Sequence, residues 1–465
     1  MLLESLVIVI AIFITGFAIA RKVNATVALF IGGLIILLAA PLLGHTETGH
    51  YEVADAGNVF LNQFGFIAQI LAQTTAGIGM IIMVLFGFSA YMTHIGANAV
   101  AVDLLTKPLL KLKVKYLLVP LTFWVGNVMS LAVPSASSLA VLLLATLFPA
   151  LVGAGLTPLT AAAVIATTAT IMPTPLGADN VIAADRLGLE LDQYVFGMHA
   201  AISIPTLIAI GVVHYFWQKY MDKRAIAQGL SLGHSTVVAE IPEDLEEISA
   251  PRWYALFPVL PLLMVLIPFL LGFVMEISIK ADLVPVTLIS VLLAMLAEAI
   301  RKRSIRAPLE DMMIFFRGMG TGFGAVVALV VAANVLVEGI VQMGLIDALS
   351  GAVSNLPGAA WILFLGFSGI MLLLALLTGG VAPFYSLVEI APQVATNVGI
   401  NGALLTLPLQ FIGNLARAVS PVAAVVLIVC GSVKEPPSRL IARTVVPMAA
   451  GIVISLALTW IIVGP

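Results

Sequence analysis

The 465-residue chain is 61% hydrophobic and 10% charged, with a formal net charge of -3 and a mean hydropathy of +1.14. Those values exclude a water-soluble globule of this length and define a polytopic integral membrane protein. They also speak against a nucleic-acid partner, because the Lys and Arg residues fall in short loops and build no basic face.

Taking a span as roughly 20 apolar residues, the candidates in chain order are about 2–20, 24–43, 66–92, 116–133, 139–152, 159–174, 195–217, 254–274, 284–300, 319–344, 360–377, 383–397, 402–431 and 441–463. The first lacks the basic head and small-residue cleavage site of a signal peptide and reads as a retained span. Cys430 is the sole cysteine. It lies in an apolar run, so the expectation is a small buried hydrophobe rather than a reactive thiol.

The basic loops then fix the layout. Arg21–Lys22, the lysines at 107–115, the cluster at 219–224 with Arg252, the run from Arg301 to Arg317, and Lys434, Arg439 and Arg443 hold 18 of the 21 basic residues. All 18 fall on the cytoplasmic face only if 116–152 and 360–397 each enter and leave the membrane from one side, as re-entrant helical hairpins. This layout places both chain termini on the periplasmic side and opens the two hairpins to opposite faces.

Opposed insertion of two similar units is the signature of an inverted repeat, and the sequence carries traces of one. Ser135 to Pro149 and Thr378 to Pro392 have the same spacing of 14 residues, Pro173-Thr174-Pro175 corresponds to Val419-Ser420-Pro421, and Ile204-Pro205 to Val446-Pro447. The expected fold is therefore an all-α polytopic membrane protein of two inverted repeats, each with a re-entrant hairpin and a broken helix. The first half is 1–218, with its hairpin near 116–152 and broken helix near 159–185. A solvated acidic linker spans 219–253. The second half is 254–465, with its hairpin near 360–397 and broken helix near 402–431, and the stretch from Arg301 to Arg317 reads as an interfacial helix with a basic end.

Four places combine small polar residues with Gly or Pro at membrane depth: 134–138, 173–180, 378–383 and 413–421. In lipid an unwound backbone is tolerated only where it is buried in protein or lines a cavity, so such breaks point to a binding site. They leave free N–H groups at helix starts, which suit a carboxylate or phosphate. Arg417 is a lone cation in about thirty uncharged residues, a position that implies an interior or wet setting and an anionic ligand; its planar fork holds a carboxylate by two parallel bonds.

The candidate substrate contacts are Ser135, Ser137, Thr174, Thr378, Gly379, Gly380, Asn414, Arg417 and Ser420. Asn127, Asp179 and Asn180 are candidates for coupling to Na⁺ or H⁺, with no organic cofactor expected. The competing readings are plain ones. Small polar residues also let membrane helices pack closely, Arg417 reads alternatively as the neutralising partner of Glu389 or Asp179, Asp179 as a surface acid with Asp185, and His94 and His199 as helix-end or packing residues. An enzyme is disfavoured, because no His-Glu-x-x-His motif occurs and Gly87-Phe88-Ser89-Ala90 lacks the second glycine of a nucleophile elbow. An anion channel remains open.

At Gly87 to Asn98, Met129 to Val133, Leu144 to Pro149, Arg317-Gly318-Met319, Ala382 to Tyr385 and Asn414-Leu415-x-Arg417-x-x-Ser420-Pro421, the chain resembles the DcuC-type anaerobic carriers of C4-dicarboxylates, within the ion transporter superfamily. The resemblance runs the whole length. It implies succinate, fumarate or malate as substrate, moved by exchange or ion coupling across the bacterial inner membrane. It further implies a homodimer in which a scaffold holds an elevator-type transport domain. Another organic anion of the superfamily, such as citrate, an amino acid or an aminoacyl-glutamate, is the nearest alternative. Two segments depart from the family's usual pattern: Thr378 to Ala382 is shorter and less polar, and Pro173 to Asn180 replaces the commoner Pro-Thr-Ser-Gly-Asp.

Overall fold

A computed structural model describes residues 2–21, 23–45, 53, 55–109, 114–133, 135–230, 232, 250–275, 282–344, 351 and 356–464. The acidic run of the linker, Lys280 and the hairpin residue Pro134 lie outside the described residues.

The structure is all-helical in regular elements among the described residues. The first half runs α1 (Leu2–Ala20), α2 (Ala25–Ala39), α3 (Val59–Thr74), α4 (Met80–His94) and α5 (Ala97–Thr106). It continues through α6 (Leu118–Met129), α7 (Ala136–Thr146), α8 (Phe148–Gly153), α9 (Pro158–Ile165), α10 (Ala178–Arg186) and α11 (Ala200–Ala227). The second half holds α12 (Leu260–Met275), α13 (Leu283–Lys302), α14 (Arg306–Gly322), α15 (Ala328–Gln342), α16 (Ala359–Thr378), α17 (Phe384–Val398), α18 (Gly402–Ala416), α19 (Ala424–Val433) and α20 (Pro437–Val463). Single π turns at Thr75–Gly79 and Phe323–Val327 join α3 to α4 and α14 to α15. Each pair thus forms one long helix with a bulge in it, a feature that often accompanies function.

Eight helices among the described residues are long and apolar enough to cross a membrane, from Ala25–Leu43 to Pro437–Val463. Their outer faces confirm the solvent. On α13, Leu288, Leu292 and Leu296 are exposed four residues apart while Thr287, Ser290 and Glu298 are buried, the reverse of the pattern that water imposes on a surface helix.

Two sequence expectations shift. The stretch from Arg301 to Arg317 is no separate interfacial helix: it spans the end of α13, a turn with Arg303 at φ +51°, and the first three turns of α14. The periodicity of Met312, Phe315 and Met319 continues into the apolar run after it, which has several glycines but no proline to stop the helix. Nor are all basic residues in loops. Arg443 is buried in α20, in an ion pair of 2.6 Å with Asp222 of α11. Asp222 also accepts from Thr157 and Thr160, each at 2.9 Å, and from Tyr116 at 3.1 Å. Both Asp222 oxygens and Arg443 Nη1 thus have partners, as a low-dielectric interior favours.

Close helix approach is made by glycine. A Cβ on Gly318 of α14 would meet Ala90 Cβ and Gly87 Cα of α4 at 2.8 Å, and one on Gly87 would meet the Phe315 carbonyl at 2.7 Å. The helices α4 and α14 therefore run antiparallel in backbone contact, and together they form one wall of the site.

Candidate functional site

Two helix breaks flank the site, and the first begins at 166, ahead of the 173–180 stretch marked in the sequence, and ends at 177. Between α9 and α10, residues 166–177 are non-helical, and between α18 and α19 a short 3₁₀ turn, Arg417–Val419, is followed by extended backbone at Ser420. Helix α18 is buried on all sides, so its polar residues have only protein or a cavity to face.

These breaks, the start of α7 and the α4–α14 wall enclose a cavity of about 600 Å³, within the usual range for a small-molecule site. Of the residues singled out from sequence, Ser135, Thr174, Asp179, Asn180, Asn414 and Arg417 line it. Ser135 caps α7, with its Oγ accepting from the Ser138 amide at 3.3 Å and from the Ser138 hydroxyl at 3.0 Å. The positive end of α7 is thereby turned toward the cavity. Thr174 closes a turn through its Oγ1, which accepts from the Leu176 amide at 3.2 Å.

Asp179 stands in the first turn of α10, where the helix dipole favours a carboxylate. It accepts from Asn414 Nδ2 at 2.7 Å and from Gln410 Nε2 at 3.0 Å. Gln410 also donates to Asn180 Oδ1 at 2.8 Å, and Asn180 Nδ2 donates to the Thr174 carbonyl at 2.9 Å. The acid is half-buried and held by neutral amides, away from the exposed Asp185.

Arg417 is half-buried, and its guanidinium donates to the Ala169 carbonyl that the first break leaves free. It forms no ion pair with a carboxylate among the described residues, and Glu389 pairs instead with Arg186. Among the described lining residues it is the one Lys or Arg, and Asp179 is the one acid.

The remaining candidates stand behind the lining. Asn127 accepts from the Thr170 amide at 3.0 Å and its hydroxyl at 2.8 Å, fixing the course of the first break from the hairpin side. Ser420 Oγ donates to the Leu376 carbonyl at 2.7 Å, and Thr378 Oγ1 to the Leu374 carbonyl at 2.8 Å. Gly379 and Gly380 adopt φ of +92° and +146°, conformations open to glycine, and a Cβ on Gly380 would lie 3.4 Å from the Arg417 side chain. The second tip thus packs against the flank of the arginine. Ser137 is half-buried beside the lining and does not form part of it.

Sequence reading missed Gln410, whose signal was present: Thr406, Gln410 and Asn414 repeat every fourth residue along an otherwise apolar helix, a polar stripe of one face. It also missed Thr170, Tyr385, and Ser89, Thr93 and Thr321 of the α4–α14 wall, and left Ser138 out of the candidate contacts. His199 is buried against Tyr194 and Phe411, with ring centroids 6.2 and 4.8 Å away, and also reaches the lining. His94 closes the end of α4 beside Asp311 at 3.4 Å.

A bundle of apolar helices around a cavity with polar groups at two helix breaks is an architecture suited to a membrane transport protein. Comparison with known proteins gives the family. The profile of the C4-dicarboxylate anaerobic carrier family, DcuC, matches residues 3–464. The anaerobic C4-dicarboxylate transporter DcuC of Escherichia coli O6:H1 is 36% identical over 464 residues, 99% of this chain and 97% of that protein. A probable anaerobic C4-dicarboxylate transporter DcuC of Vibrio cholerae is 34% identical over 465 residues, 99% and 98% of the two chains. Among solved structures, Neisseria gonorrhoeae MtrF, described as one of a class of antimetabolite efflux pumps, superposes with a TM-score of 0.56 over 95% of both chains at 14% identity, a likeness of fold. The chain belongs to the DcuC family of carriers.

Proposed function

We propose that this protein is a secondary active transporter of C4-dicarboxylates, with succinate, fumarate and malate as its substrates, in a bacterial inner membrane. The observation that carries the proposal is Arg417: one half-buried guanidinium on the lining of a cavity built from both breaks, with a carbonyl as its present partner. A substrate carboxylate is the stronger partner for that fork. Ser135, Ser138, Thr170, Thr174 and Asn414 supply neutral hydroxyl and amide contacts, with Ser137 beside them, while Thr378, Gly379, Gly380 and Ser420 hold the second tip and the second break in place. Asp179, with Asn180 and Asn127 near it, is the coupling group for Na⁺ or H⁺.

The working cycle is an elevator motion of a transport domain against a scaffold in a homodimer, with two inverted repeats. The repeat is supported by matched elements: each half has a bulged long helix (α3–α4 and α14–α15), a helical hairpin and a broken helix. The scaffold reading is supported by the glycine contacts that weld α4 to α14. Both termini are assigned to the periplasm by the positive-inside bias.

Counterflow in proteoliposomes tests the reading. Internal unlabelled succinate should accelerate uptake of labelled succinate, and fumarate and malate should compete. Absence of competition by any C4 acid would overturn the substrate class, and uptake without stimulation by internal substrate would indicate a channel.

A further inference from the structure

Arg317 differs from the other basic residues of the long helices. Asp311, on the same helix, meets Lys302 at 3.1 Å and His94 at 3.4 Å, which marks the level of the basic surface. Arg317 is six residues further along, about 9 Å deeper at the rise of an α-helix. Its side chain is exposed and has no ion pair or hydrogen bond among the described residues; its carbonyl accepts from Thr321 at 3.1 Å. A bare guanidinium at that depth is costly against lipid and belongs with a wet space.

The contacts of α14 with α4 show which space this is. Gly318 lies on Gly87 and Ala90, and Asp311 lies on His94, so Arg317 emerges at a height between Ala90 and His94. Ala90 and Thr93 line the cavity, as do Gly318, next to Arg317 in the chain, and Thr321, one turn on along the same helix face. Thr93 is an exposed lining residue next to His94, so the lining reaches to the level of the basic surface on this side. Arg317 is not itself part of the lining, but it borders this end of it through Gly318 and Thr321.

The charges inside leave a task for it. The lining holds one guanidinium, Arg417, and one carboxylate, Asp179, so its formal charges balance. A dianion brings two negative charges to that balanced site. Arg301 and Lys302 are already engaged by Glu298 and Asp311. We propose that Arg317 is the capture residue of the cavity mouth: it draws an organic dianion in from the basic face, toward Arg417. This rests on the carrier reading above. Because Arg317 belongs to the α4–α14 wall, it serves the substrate on one side of the membrane.

The test uses a Cys430→Ser background, which removes the sole cysteine, with Arg317→Cys reconstituted into vesicles of known orientation. Succinate is the probe. A membrane-impermeant methanethiosulfonate should modify the new thiol from the basic face, and succinate should slow that reaction. Loss of one steering charge should raise the KM for counterflow from that face about tenfold and leave the opposite face unchanged, and the ethylammonium reagent should recover it where the ethylsulfonate does not. An unreactive thiol, an equal shift on both faces, or recovery by either reagent alike would overturn the assignment. If the cysteine variant does not fold, Arg317→Gln compared with Arg317→Lys gives the same sided KM reading. Failure of the parent protein to exchange succinate would instead refute the carrier reading, while thiol reactivity and its sidedness would still report whether Arg317 lines the mouth.

Discussion

Asn414 donates to the Asp179 carboxylate at 2.7 Å across 235 residues of chain, and three residues later the same break presents Arg417. One segment therefore holds the acid of the first half and the cation of the second at a single cavity. If Asp179 is the coupling group, Asp179→Asn should retain counterflow at equal internal and external succinate while net uptake driven by an ion gradient falls to background. Replacing Na⁺ by choline at constant pH, in the parent and the variant, measures it. A variant that still accumulates succinate against its gradient would exclude the role.

Arg417→Ala should abolish transport while leaving the protein folded and its size-exclusion profile unchanged, because the guanidinium anchors no buried ion pair. A charge-assisted contact in a desolvated site is worth about 2–5 kcal/mol, so succinate affinity should fall about 30-fold or more. Arg417→Lys separates fork from charge: a point charge cannot make two parallel bonds, so a bidentate contact predicts nearly the same loss. Calorimetric titration with succinate in detergent reads both variants, and unchanged affinity would refute the site.

The sequence made the fold legible because the physical constraint was severe. Breaks at membrane depth in Pro173–Asn180 and Gly413–Pro421 have few permitted settings, and the structure brings these two breaks to one cavity. Arg417 and Asp179 were legible for the same reason. What was not legible depended on distance in three dimensions: Thr378 and Ser420 read as ligands, yet their hydroxyls bond the Leu374 and Leu376 carbonyls. Hydroxyl residues serve backbone and ligand equally well, and composition cannot separate the two. The wall of α4 and α14 was hidden because Ser89 and Thr93 on one helix and Thr321 on the other are sparse polar residues in two apolar runs far apart in the chain.

Asp222 and Arg443 give a stability prediction. Removing one partner leaves an uncompensated buried charge at a cost of about 3–5 kcal/mol, whereas an apolar pair of similar volume can be near neutral. Asp222→Ala should therefore lower the unfolding temperature strongly, and Asp222→Leu with Arg443→Met should recover much of the loss. Cys430 is buried and free, so a thiol-reactive fluorophore reports unfolding directly during a thermal ramp. Equal destabilisation by the single and double variants would show that the hydroxyl network, and not the charge pair, carries the contribution.

The contact of Gly318 with Gly87 supplies the last prediction. In Gly318→Ala the new methyl would sit 2.8 Å from Ala90 Cβ and Gly87 Cα and 2.9 Å from the Phe86 carbonyl. These are backbone and short side-chain atoms that cannot swing aside, so α4 and α14 must separate. Overpacking of this kind costs about 1–3 kcal/mol. The wall of the cavity would move with it, because Ala90, Thr93 and Thr321 ride on these helices. Gly320→Ala is the matched control: it lies on the same helix, loses the same backbone freedom, and meets nothing within 4 Å. Gly318→Ala should lower both unfolding temperature and transport rate, and Gly320→Ala should leave both near the parent value. Equal behaviour of the two variants would mean that helix propensity, not interhelical contact, sets the outcome.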